Sequence, residues 1–171
     1  MATNTSAKVR IRIEIQETKV TDMAGTAAIT HVFDVVPGGG PGLVEYADGT
    51  SANQVNLVYS DSFSISGAST QTYDLDTSLV SILDGSAVTF TKIYGFAIVQ
   101  DSGAFTITVG AGSNPLLNWV KATGDGVLIG NLGYLVICDP TNGYAVTGST
   151  GDILTLTSTG SVTGRILIWG C

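Results

Sequence analysis

Apolar residues along this chain fall in short runs rich in β-branched and aromatic side chains, and each run is closed by a turn signal. From residue 126 the runs are Gly126-Val127-Leu128-Ile129, Tyr134 to Cys138, Tyr144-Ala145-Val146, Ile153 to Thr157 and Val162 to Trp169. Between them lie Gly130-Asn131-Leu132-Gly133, Asp139-Pro140-Thr141-Asn142-Gly143, Gly148-Ser149-Thr150-Gly151-Asp152 and Ser158-Thr159-Gly160-Ser161. Evenly spaced strands with a turn after each predict an antiparallel sandwich or barrel. The last run, Gly164 to Gly170, is so apolar that it is expected inside a sheet or against a neighbouring subunit rather than frayed.

The N-terminal pattern is stricter. Across residues 8–20, Val9, Ile11, Ile13 and Ile15 share one face, with Arg10, Arg12, Glu14 and Gln16 on the other. A period of two predicts one half-buried strand. Its charged face suits an edge, where charge discourages stray pairing. A second strand is expected from about Ala28 to Val36. Pro37-Gly38-Gly39-Gly40-Pro41-Gly42 then interrupts any ladder, since proline donates no hydrogen bond and glycine imposes no geometry. The stretch reads either as a hinge or as a long hairpin loop within one domain. Taken as a hinge, it divides the chain into an arm (1–36), a Gly/Pro-rich segment (37–50) and a body (51–171).

In the body, Val55 to Ile65 predicts a strand bent at Ser60-Asp61-Ser62, and Gln71 to Leu75 a short one. Thr77 to Leu83 reads as one helical turn, capped by Thr77 or Ser78 and stopped by Asp84-Gly85. Ala87 to Gln100 reads as the longest strand, turning at Asp101-Ser102-Gly103 into Ala104 to Val109. Leu116 to Val120 returns aromatic bulk to the core. The expected total is about ten to twelve strands.

Composition sharpens this picture. Apolar residues make up 44 % of the 171 positions but charged residues only 12 %, with mean hydropathy +0.35. The usual charged share is about a quarter. A surface so short of charge is expected to be partly covered in an assembly. No segment approaches the ~18 continuous apolar residues of a membrane span, and the first residues lack the apolar run of a signal peptide. The expectation is therefore a soluble product of the cytoplasm with no membrane partner.

The net charge is −7 and the pI about 4.3, with the acids scattered singly, mostly as aspartate in turns. Lys8, Arg10, Arg12 and Lys19 are four of the seven basic residues. An acidic domain of this kind is not expected to bind nucleic acid directly.

Candidate chemistry is sparse. His31, the single histidine, alternates with Ile29, Phe33 and Val35, as a core or rim residue would. Cys138 and Cys171 make neither a zinc site nor an expected disulfide; they read as one packed and one exposed thiol, with Cys171 near a symmetry axis as a further option. No Gly-x-Ser-x-Gly elbow is present, and nothing selects a carboxylate pair. The glycine-rich stretches lack a following Lys-Ser/Thr. Asp74-Leu75-Asp76 and Asp139 to Gly143 look like fragments of calcium loops without the full spacing, which leaves a structural calcium ion at a loop or subunit junction only as a minor alternative. The expectation is no enzymatic activity and no cofactor.

Several of these pieces occur in a recognisable order. They are Ala52 to Asp61, Tyr73-Asp74-Leu75, Leu83 to Phe96, Thr108 to Pro115 with Trp119, Asp139 to Thr147, Gly151-Asp152-Ile153-Leu154 and Ile166 to Gly170. From about Asp48 onward the chain resembles small β-rich virion proteins of tailed bacteriophages. The resemblance implies a particle component, assembled in the host cytoplasm and resident in the virion. With the low charge, it leads to an expected fold and role: an all-β antiparallel sandwich, jelly-roll-like, with an N-terminal strand arm, acting as a capsid cement or decoration protein. Its expected partners are two further copies, as a homotrimer, and the major capsid protein on the capsid surface. Contact residues expected for those partners are Arg10, Ile11, Arg12, Ile13, Ile15 and Trp169. The alternative is a tail or fibre module binding host glycans or a receptor through Trp119, Tyr134, Tyr144 or Trp169, where Trp119 and Trp169 also read as core.

Overall fold

The computed structural model describes residues 7–10, 12–21, 25–34, 43–81 and 85–171. They are all β, without a helix, and every ladder between named strands is antiparallel. The Pro37–Gly42 segment lies outside the described residues, as does Ile11. Residues 7–46 and the chain from Ala47 to Cys171 form separate compact units.

The first unit holds β1 (Ala7–Arg10), β2 (Arg12–Thr21), β3 (Gly25–Asp34) and β4 (Leu43–Tyr46). Here β1 pairs with β4, and β2 forms a ten-residue ladder with β3. The single strand expected over residues 8–20 is thus two strands. Alternation continues along the sequence, but Arg10 pairs with β4 and Arg12 with β3, and periodicity reports a face rather than a partner.

The second unit carries β5 (Leu57–Ile65), β6 (Ser69–Asp74), β7 (Leu79–Val80), β8 (Ala87–Val88), β9 (Lys92–Ser102), β10 (Ile107–Gly110), β11 (Gly126–Ile129), β12 (Tyr134–Cys138), β13 (Tyr144–Ala145), β14 (Ile153–Ser158) and β15 (Val162–Gly170). One sheet runs β11-β10-β14-β6; the other runs β12-β9-β15-β5, with β13 also on β9. Leaving aside the two-residue strands, the pairing is nested. The first strand pairs with the last (β5 with β15), the second with the seventh (β6 with β14), the third with the sixth (β9 with β12), and the fourth with the fifth (β10 with β11).

Alternation explains why the strands bury what they bury. In β5, Tyr59, Phe63 and Ile65 are buried while Val58, Ser60, Ser62 and Ser64 are exposed. In β15, Val162, Gly164, Ile166 and Ile168 point inward. Inward residues of both sheets, among them Phe96, Ile98, Ile166 and Ile168 from one and Tyr73, Ile107, Leu154 and Leu156 from the other, join a single buried cluster. Fully burying each such side chain contributes about 1.5–3 kcal/mol.

Three local expectations are corrected. β5 runs unbroken through Ser60-Asp61-Ser62: Ser60 and Ser62 take the exposed positions, and Asp61, half-buried at an inward position, accepts the Tyr59 hydroxyl. The helical turn expected from Thr77 is a tight turn followed by β7: the Asp74 carboxylate accepts the Asp76 and Thr77 N–H groups and the Thr77 hydroxyl, and so reverses the chain. The long strand expected over Ala87 to Gln100 is broken between β8 and β9. There Phe90 donates to the Leu75 carbonyl, and Thr91 and Lys92 donate to the Cys171 carbonyl, so backbone partners switch within three residues.

Candidate assembly surface

Cross-strand registers define the outward face of the β12-β9-β15-β5 sheet. Leu167 stands opposite Ser60 on one side and Ala97 on the other, and Ala97 stands opposite Val136. The next row is Ser62, Arg165, Val99 and Tyr134. Directly opposed residues share a face, so these side chains project together, away from the buried cluster. Val58 is 41 % exposed, Leu167 39 % and Tyr134 62 %. Ser60, Ser62, Ala97, Val99, Arg165 and Leu167 line a shallow depression of about 370 Å³.

The outward face of the other sheet is more polar. Thr70 stands opposite Thr157 and Thr72 opposite Thr155, while Thr108 on β10 also faces Thr157. The Thr70 and Thr157 hydroxyls lie 3.1 Å apart and hydrogen-bond. This face is threonine-rich but mixed: Leu128, 63 % exposed, stands opposite Thr108, and Thr155 is itself buried, whereas the first sheet turns mainly aliphatic and aromatic groups outward.

Two features frame the apolar face. At one end Arg165 donates from Nε and a terminal guanidinium nitrogen to the two Asp101 oxygens, each at 2.8 Å. Both side chains are exposed. The hydrogen bond from Arg165 holds the Asp101 carboxyl below the usual range, and the same bond raises Arg165. At the other end the row of Val58, Trp169, Gly95 and Cys138 is closed by the segment Ala47–Asn56. That segment is tied down by Asn53 N–H to the Pro140 carbonyl, Asn56 N–H to the Gly170 carbonyl and the Tyr94 hydroxyl to the Ser51 carbonyl.

Trp169, expected as a contact residue, is 2 % exposed. Its indole lies across Gly95, the one residue type that leaves room for it. Arg10 pairs with Leu43 on β1, whereas Arg12, Ile13 and Ile15 stand opposite Asp34, Phe33 and His31 on the β2–β3 ladder. Arg10 thus belongs to a different ladder from the other three, and Ile11 lies outside the described residues. Of the aromatic residues expected on loop tips, Tyr134 is exposed, Trp119 is half-buried and Tyr144 is buried. Trp119 donates to the Leu116 carbonyl and meets Phe96 edge-on at 5.1 Å.

The thiols are arranged opposite to expectation. Cys171 is buried, with its sulfur toward the Thr50 carbonyl and its own carbonyl capping Thr91 and Lys92, while Cys138 is half-buried. Burial, and secondarily Asp139, raises the Cys138 thiol. Among the described residues no group of three or more His, Cys, Asp or Glu is placed to hold a metal ion.

The apolar face went unnoticed in the sequence, although a signal was there. Tyr134-Leu135-Val136-Ile137-Cys138 is apolar at both parities, and a strand without alternation is one that is covered, or meant to be covered, on both faces. Leu135 and Ile137 meet the buried cluster, which leaves Tyr134, Val136 and Cys138 to the other side. Set against known proteins, the chain matches no family model, no curated protein and no solved structure.

Proposed function

We propose that this protein is a non-enzymatic virion component of a tailed bacteriophage, a decoration protein that trimerises and bridges major capsid subunits on the head. The observation that carries this reading is the outward apolar face centred on Leu167, Ala97, Val99, Val136 and Tyr134. Large contiguous apolar patches on soluble chains mark interaction sites, and here the opposite sheet turns mostly threonines outward, with Leu128 at its edge. The nested pairing of eight strands in two sheets supports a jelly-roll sandwich, an architecture of viral capsid domains. The low charged share and the resemblance carried by residues 48–170 support the same role.

Leu167→Lys tests the proposal, because position 167 points outward and the substitution leaves the core intact. Wild-type protein is expected to elute as a trimer by light scattering and to co-sediment with undecorated heads. The variant is expected to elute as a folded monomer and to lose co-sedimentation. A variant that still trimerises and decorates heads rules this face out as the contact.

A second reading, a tail or fibre module that binds glycans, draws on the exposed Tyr134 ring beside Val99 and Arg165. Aromatic platforms flanked by polar groups suit sugar rings. Glycan-array binding that is lost in Tyr134→Ala would favour it over decoration.

A further inference from the structure

Asp152 is an anomaly in this protein. It is 5 % exposed, yet among the described residues its Oδ1 has no hydrogen-bond partner. Its Oδ2 accepts the Ser149 N–H at 2.6 Å, and among the described residues no basic side chain pairs with it. Burying a carboxylate with one oxygen unfilled is costly unless a cation or a proton completes it.

Backbone carbonyls and a second carboxylate stand nearby. Asp152 ends the loop Thr147 to Asp152, in which the Thr147 carbonyl accepts from Thr150 and Gly151. The turn after β6 packs on that loop: Leu75 donates to the Asp152 carbonyl at 2.8 Å. From the same turn Asp76 brings a second carboxylate, so close to Gly148 that a Cβ there would stand 2.6 Å from Asp76 Oδ2. Asp76 accepts no hydrogen bond and makes no ion pair among the described residues. Two carboxylates of like sign are thus held against one loop with no counter-charge, one of them almost fully buried.

We propose that Asp152 and Asp76, with oxygens of the Thr147–Asp152 loop, bind a calcium ion. Calcium is the cation this chemistry favours. It accepts oxygen ligands from carboxylates, carbonyls and water in flexible geometry, whereas magnesium requires a compact octahedron and holds its water. The ion would pin the turn after β6 to the loop before β14, which meet at one end of the β6–β14 ladder.

Thermal unfolding of the full-length protein, first stripped with EGTA and then titrated with calcium chloride, tests this. The wild-type Tm is expected to rise by about 5–10 °C at roughly a hundredfold excess over Kd, with magnesium giving little. Asp152→Asn keeps an acceptor for the Ser149 N–H but removes the charge. It is expected to match or exceed the wild type in EGTA and to lose the calcium response, so that the ranking of the two proteins reverses on adding calcium. Asp76→Asn, at a more exposed position, serves if Asp152→Asn fails to fold, and should weaken calcium binding at least tenfold by calorimetry. Absence of both heat and Tm shift in the stripped wild type overturns the proposal. So does a calcium response undiminished in both variants. These outcomes do not depend on whether the protein decorates capsids.

Discussion

Gly95 shows how one residue type governs a region. A Cβ at this position would collide with the Trp169 ring and the Ile137 carbonyl. Gly95→Ala is therefore expected to cost about 1–3 kcal/mol by overpacking, seen as a lower urea midpoint with an unchanged m value. Two neighbouring tyrosines make a contrasting pair. Tyr59 and Tyr73 meet edge-on at 6.1 Å. The Tyr59 hydroxyl donates to Asp61 Oδ2, whereas among the described residues the buried Tyr73 hydroxyl has no partner. Burial, with Asp61 as the next cause, pushes the Tyr59 hydroxyl up to about 12, so it remains a donor at neutral pH. Tyr59→Phe should then lose about 1 kcal/mol, while Tyr73→Phe should be neutral or stabilising, since it removes an unsatisfied group. Equilibrium unfolding of the two variants side by side checks the difference in sign.

At the level of elements, alternation made the strands readable and left their partners hidden. β5 and β15 stand close to where the pattern of apolar and polar residues predicts them. Periodicity has no access to the switch of partners between Arg10 and Arg12 or around Phe90 to Lys92, because the causes, the β4 backbone and the Leu75 and Cys171 carbonyls, are remote in sequence. The same limit hid the apolar face, which exists only once β12, β9, β15 and β5 are set side by side. Turn chemistry is local, and it is legible at Asp139 to Gly143 but not at Asp74, where the spacing of Leu79, Ile82 and Leu83 points to a helical turn instead. Asp74 and Asp139 each accept hydrogen bonds from the residues just after them. The Thr77 hydroxyl chiefly lowers Asp74, and the Asn142 N–H chiefly lowers Asp139. A carboxylate depressed in the folded state stabilises above its unfolded pKa, and that contribution is lost as pH falls through the folded value. Stability should therefore be full at neutral pH and decline below about pH 4. Replacing both residues with asparagine should lower Tm at neutral pH and flatten its acid dependence, measured by thermal melts across the acid range. Solvent exposure keeps each effect modest.

At the level of the whole molecule, charge and packing divide the chain at the same place. Residues 47–171 hold nine aspartates against three basic residues, while Lys8, Arg10, Arg12 and Lys19 all precede that unit. The buried cluster draws only on residues from Leu57 onward, and the nested ladders of β5 to β15 close without β1 to β4. A chain beginning at Ala47 is thus expected to fold alone, with wild-type near-ultraviolet circular dichroism and one cooperative unfolding transition. Its oligomeric state then separates two origins of assembly. If the sheet face around Leu167 makes the contact, the shortened chain remains a trimer and Leu167→Lys dissociates it. If Arg10, Ile11, Arg12, Ile13 and Ile15 make the contact by adding a strand to a neighbour's sheet edge, the shortened chain is a monomer and full-length Leu167→Lys remains a trimer. A shortened chain that aggregates would mean that the N-terminal strands shield apolar surface within their own subunit, and that neither origin holds as stated.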